Sequence, residues 1–218
     1  MSLPCKRGWR RSRKSRSIIF VIDAGMVEYN VHEAALANRS QLLDKVLSEV
    51  MGCANPMVFW KDFDVDTFAK FLDYIYKGNY NIVDPKHCSE GDAASASALP
   101  ETGASHSRDY YMAHSSLYLL AHRYGPDELM SLCIENMRQS LVRNPCQGEL
   151  VYAVVDVLRA VWPRTRSDDA MTNLVLQYIL TDMSWMMNQP PLIKLLDEIP
   201  EVAPKLLLLI PTPYWDAL

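Results

Sequence analysis

Ile18-Ile19-Phe20-Val21-Ile22 is a short unbroken apolar run of the kind that forms a buried strand, and Asp23-Ala24-Gly25 after it is a turn signal. Val27, Tyr29 and Val31 then alternate with Glu28 and Asn30, which predicts a half-exposed second strand and so a hairpin. From His32 the period lengthens. Leu36, Leu43, Val46, Leu47 and Val50 recur at helical spacing, as two helices broken near Asn38-Arg39-Ser40, with Ser40 placed to cap the second. Met57 to Trp60 reads as another short strand. Asp64 is an N-cap candidate, Phe68, Phe71, Leu72, Ile75 and Tyr76 form one apolar helical stripe, and Gly78 ends it.

The pattern then lapses. From Asp84 to Asp109 the chain is rich in Ala, Ser, Gly and acid, with Leu99 the one large aliphatic residue, and it is expected to be a flexible insertion. Residues 110–218 return to helical spacing. Ala113, Leu117, Leu120, Ala121 and Tyr124 form a stripe that stops at Gly125-Pro126, and a second helix opens at Asp127 with Leu129, Leu132, Cys133, Met137 and Leu141. Helices are expected near 149–161 and 168–187, the latter opened by Ser167-Asp168-Asp169. The closing segment, punctuated by Pro190-Pro191, Pro200, Pro204, Pro211 and Pro213, should hold one short helix near 192–199.

Charge changes this picture at one end. The chain of 218 residues has a formal net charge of −4. Seven bases and no acid lie within residues 1–16: Lys6, Arg7, Arg10, Arg11, Arg13, Lys14 and Arg16. The rest carries fifteen bases against all 26 acids, so an acidic body follows a basic tail, residues 1–17, which is expected to be disordered. The tail has transit-peptide composition but only Leu3 and Trp9 as large apolar residues, which argues against that address. A targeting role for its seven bases is one expectation, an inert solubilising tail another. Direct nucleic-acid contact is not expected, because a short charge run binds phosphates non-specifically. The five cysteines, Cys5, Cys53, Cys88, Cys133 and Cys146, are scattered without CxxC spacing, which suits a reduced intracellular compartment. Apolar runs such as Leu206 to Ile210 are far too short to span a membrane.

A search for chemistry finds no constellation that would make an enzyme, so no cofactor and no metal are expected. Glycines stand singly, without a phosphate-binding pattern. His114 and His122 are eight apart on one predicted helix, without the closeness of a ligand pair. His87, Cys88 and His106 share the insertion, a poor frame for a metal. Asp62, Asp64 and Asp66 lack the glycine and distal Glu of a calcium loop and are read as helix-start acids. Glu33 and Glu49 lack a partner acid or base nearby in the sequence.

The order of the pieces carries more than any single residue. A hairpin runs into Val31-His32-Glu33-Ala34-Ala35-Leu36-Ala37-Asn38-Arg39-Ser40. Asp64-Val65-Asp66 and Phe68 lead to Leu72-Asp73-Tyr74-Ile75-Tyr76-Lys77-Gly78-Asn79-Tyr80. Tyr118-Leu119-Leu120-Ala121-His122-Arg123-Tyr124, Leu129 and Cys133 follow the insertion. These three segments, in this order over about residues 18–141, closely resemble the BTB/POZ domain. The serine- and alanine-rich insertion and the helical extension, residues 142–218, are similar to fungal BTB proteins.

The resemblance implies an α+β fold, a small sheet flanked by a helical cluster, used as a protein-interaction module. It also implies the family's partners: a second copy of the domain, a cullin of a ubiquitin ligase, or transcriptional co-repressors. Leu47-Ser48-Glu49 matches the letters of the hydrophobic-x-Glu motif that cullin-binding members carry before their third strand, slightly early. Arg39 matches a basic residue that pairs, in the family, with an Asp before the first strand. Here that stretch reads Lys14-Ser15-Arg16-Ser17-Ile18, without the acid, and a basic tail stands where the swapped first strand of family dimers would lie. The expected function is therefore an adaptor or scaffold, with possible substrate-adaptor and homodimer forms. The alternatives are a nuclear regulator that recruits partner proteins and, remotely, an unrecognised enzyme; the compartment is nucleus or cytoplasm.

Overall fold

A computed structural model describes residues 16–23, 25–50, 52–53, 55–82, 103–144, 148–166 and 168–210, with backbone alone at 103–107. The chain divides into two compact units. The first holds residues up to Asn81 together with Ser116–Met130, and the second holds Ile82–Ser115 and Ser131–Leu218.

The first unit is built on a three-stranded sheet. Strand β1 (Ser17–Ile22) pairs antiparallel with β2 (Val27–His32), in the register Phe20↔Tyr29, and parallel with β3 (Met57–Trp60), in the register Phe20↔Val58. The central strand is nearly all apolar because both faces of the sheet are covered there, with the consecutive residues Phe20, Val21 and Ile22 all buried. The hairpin turn places Asp23 at φ 61° and Met26 at φ 54°, in the left-handed region, and the Met26 N–H donates to the Asp23 carbonyl at 3.2 Å.

Helices α1 (Glu33–Leu36), α2 (Gln41–Val50) and α3 (Val65–Lys77) follow as the period shift predicts. Ser40 Oγ accepts from the Leu43 N–H at 3.1 Å and so caps α2, and it donates to the Tyr124 carbonyl at 2.6 Å. The Asp64 carboxylate caps α3, accepting from the Thr67 N–H and the Thr67 hydroxyl, both at 2.7 Å. Gly78 closes α3 at φ 76°, which a side chain would resist. The buried stripe of α3 is Thr67, Phe68, Phe71, Tyr74 and Ile75. Tyr76, expected in that stripe, instead points outward, and its hydroxyl accepts from the His32 N–H at 3.0 Å.

An aromatic cluster fills the core under the sheet. Phe20 lies 5.1 Å from Trp60 and 5.3 Å from Phe68 between ring centroids, and Tyr124 stacks on Trp60 at 4.3 Å. Tyr124 ends α4 (Gly103–Tyr124). The next residue, Gly125, approaches the preceding turn so closely that an added Cβ would lie 2.7 Å from the Ala121 Cα.

The second unit is helical. Helix α5 (Asp127–Arg143) contributes its later residues, and α6 (Leu150–Val161) buries eight of its side chains: Leu150, Val151, Ala153, Val154, Val155, Val157, Leu158 and Val161. A helix apolar on most of its faces must be a central one, and α6 packs against both α7 (Ala170–Thr181) and α9 (Pro190–Glu198). Asp169 caps α7 through the Met171 and Thr172 N–H groups. Asp156 of α6 meets Arg108 of α4 and also Arg159, whose Nε donates to Glu198 of α9 at 2.8 Å. The Tyr111 and Ser140 hydroxyls meet in the core at 2.8 Å.

Three expectations are corrected here. Residues 103–109, assigned to the flexible insertion 84–109, are the first turns of α4. Small polar residues leave no apolar period to read, and helix propagation from the anchored segment at Tyr110-Tyr111 carries them. The helix expected over 168–187 is interrupted, because Asp182 at φ −140° separates α7 from α8 (Met183–Met186). Thr181 and Asp182 are both weak helix formers. The closing segment holds a second helix, α10 (Val202–Leu209). Pro204 falls in its first turn, where no intrahelical N–H is needed. The basic tail up to Ser15, residues 84–102 and residues 211–218 lie outside the described residues.

Candidate interaction surface

Helix α2 is amphipathic, and its two faces have separate fates. Leu43 and Leu47 go into the core, with Leu47 at 5% exposure. Leu42, Val46 and Glu49, spaced i, i+4, i+7, share another face, about 110° around the helix from Leu43 and Leu47. Leu42 is 55% exposed, Val46 is half-buried and Glu49 is exposed. Strand β3 alternates likewise: Val58 and Trp60 are buried, while Phe59 is 52% exposed. Helix α2 packs against β3, so Leu42 and Phe59 are large apolar side chains offered to water by adjoining elements. Exposed aromatic and aliphatic anchors ringed by polar groups are the pattern of a binding surface. Here Lys45, Ser48, Glu49, Lys61 and Asp62 supply the exposed polar groups.

The residues singled out from the sequence separate accordingly. Leu47 and Glu49 do not face the same way, since one is core and the other surface. Arg39 is exposed and directs its guanidinium to backbone carbonyls, Nε to Ala35 at 3.3 Å and NH2 to Ile75 at 3.2 Å. Its cation thus sits at the carbonyl ends of α1 and α3, where a helix dipole favours it. Lys6, Arg7, Arg10, Arg11, Arg13 and Lys14 lie outside the described residues. Arg16 is exposed just before β1, and its carbonyl accepts from the Glu33 N–H at 2.9 Å. Leu42 and Phe59 were missed. Leu42 sits beside Leu43 in an apolar pair, and only the rotation of α2 decides which of the two is buried.

The remaining candidates have structural surroundings. His114 is buried edge-on to Tyr110, with ring centroids 4.6 Å apart, whereas His122 is exposed. Asp64 is a helix cap, Asp66 pairs with Lys70 at 3.0 Å, and Asp62 pairs with Arg123 at 2.7 Å. Among the described residues, no group of His, Cys, Asp and Glu side chains could hold a metal ion, and no helix is long and apolar enough to cross a membrane. Cys53 is exposed and Cys133 buried.

The family model of the BTB/POZ domain matches residues 12–96, and the chain carries that domain. It is a protein–protein interaction module. The match begins inside the basic stretch and stops short of α4, so α4 to α10 fall outside it. No curated protein matches the chain.

Proposed function

We propose that the chain is a BTB/POZ adaptor or scaffold that takes its partner on the exposed side of α2 and on β3, and that a cullin is one such partner. The observation that carries this reading is the pair of exposed anchors, Leu42 and Phe59, on adjoining elements of the matched domain. Glu49, on the same side of α2 as Leu42, adds a carboxylate beside the apolar contact, which favours a partner with a basic rim. Binding of the purified full chain to an immobilised cullin N-terminal domain tests it. Saturable binding is expected, weakened at least about tenfold by Leu42→Asp or Phe59→Asp, as loss of an interface anchor requires. Unweakened binding by both variants, or none by the native chain, overturns the cullin form. Sedimentation of the same proteins separates a second copy as the occupant: dimers lost in both variants would place a homodimer on this surface.

A second reading has its own support in the seven bases of residues 1–16. They suit recognition by an import receptor, which would make the chain a nuclear regulator that recruits partner proteins. A fluorescent fusion lacking residues 1–16 is expected to leave the nucleus, and unchanged localisation removes this reading.

A further inference from the structure

Two helices of the second unit end at one place. Leu180 and Thr181 finish α7, Asp182 breaks from it, and Ile210 follows the last residue of α10, which packs on α7. A cavity of about 530 Å³ opens there, lined among the described residues by Leu180, Asp182, Met183, Ser184, Met187 and Ile210, with Thr181 at its edge. Its walls are chiefly aliphatic and thioether. Methionine side chains adapt their shape to irregular apolar groups.

Asp182 is the one charged side chain among the described lining residues of this cavity. A helix C-terminus carries partial negative charge on its last carbonyls, which a Lys or Arg in the last turn would ordinarily offset. Neither α7 nor α10 has a basic residue in its last turn. Asp182 adds a full negative charge, and no Lys or Arg is among the described lining residues. An apolar cleft of this kind, with a carboxylate and two helix C-termini beside it, complements a cation attached to apolar surface.

We propose that this cavity is a second binding site, for a peptide segment of a protein partner in which an Arg or Lys stands beside a large apolar side chain. The apolar side chain enters between Met183, Met187 and Ile210. The cation rests against Asp182 and the carbonyl ends of α7 and α10. An acidic segment would meet the like charge of Asp182, and a polar basic one would leave the apolar walls unfilled.

Fluorescence anisotropy with the full chain tests this, using a labelled short peptide that alternates Leu and Arg. Leu–Glu and Gly–Arg peptides and dodecyltrimethylammonium serve as comparisons. The Leu–Arg peptide is expected to bind saturably and more tightly than both comparison peptides. Asp182→Lys should weaken it at least about tenfold and Asp182→Asn less, as expected for a charge contact at a partly desolvated rim. Met183→Glu, at a half-buried position, is a second variant, and circular dichroism checks that each remains helical. Leu42→Asp in the first unit should leave this binding unchanged. Equal binding of the Leu–Arg and Gly–Arg peptides, insensitivity to both cavity variants, or binding of the small amphiphilic cation alone would each overturn the proposal.

Discussion

Ser40 shows how much one hydroxyl can hold. It accepts from the Leu43 N–H and donates to the Tyr124 carbonyl, so it caps α2 and ties that cap to the end of α4 within the first unit. Ser40→Ala is expected to cost about 1–2 kcal/mol in urea denaturation, the range for loss of a cap together with a partly buried hydrogen bond. Its capping role was legible, because a Ser at a break in helical spacing has few other uses. The bond to Tyr124 was not, since nothing local links residues so far apart. Gly125 is a second such position. A Cβ there would meet the Ala121 Cα at 2.7 Å, so Gly125→Ala should lower stability by about 1–3 kcal/mol through overpacking against backbone that cannot yield. Arg39 teaches the converse. The family resemblance matched it to a basic residue whose acidic partner is absent from this sequence, and the fold supplies the Ala35 and Ile75 carbonyls instead.

At the scale of elements, α2 carries the sharpest distinction. Leu42 and Leu47 are both leucines of one helix, yet one is 55% and the other 5% exposed. Leu47→Ala is therefore expected to destabilise by about 2–5 kcal/mol, and Leu42→Ala by no more than about 0.5 kcal/mol. Thermal and urea unfolding of the two variants measure this difference directly. A near-equal cost would mean that the helix is rotated from the position described. Strand and helix types followed from periodicity wherever an apolar stripe met a cap, as at Asp64 and Gly78. Periodicity failed where the cause was local and polar. The first turns of α4 have no large apolar residue, the break at Asp182 is a backbone excursion within an apolar run, and Pro204 marks a helix start rather than an end.

At the scale of the molecule, the second unit is centred on two largely buried helices, α6 and α7, with one carboxylate at the side of α6. Asp156, with its side chain 13% exposed, meets Arg108 and Arg159, and Arg159 continues to Glu198. This joins α4, α6 and α9 by charge where α6 already joins its neighbours by apolar contact. Asp156→Ala should cost about 1–3 kcal/mol, because two guanidinium groups lose a half-buried acceptor together. The loss should be far less salt-dependent than that from removing an exposed pair such as Lys77–Asp73. Denaturation midpoints at low and high salt compare the two. The domain match and the three-strand sheet were legible as an ordered set of motifs. The exposure of Leu42 and Phe59 was not legible, since which residues of α2 and β3 face water is a property of packing.

The parallel pairing of β1 with β3 has a consequence in time. The hairpin of β1 and β2 closes through a few residues, whereas β3 reaches β1 only after α1, α2 and their connections have been threaded between them. Closing the longer loop costs more chain entropy, and non-local pairings form late. Val58→Ala in β3 should thus speed unfolding while leaving the refolding rate nearly unchanged. Substitutions in the hairpin turn at Asp23 or Met26 should act on refolding first. Stopped-flow refolding and unfolding of these variants would show the sheet growing outward from its antiparallel edge.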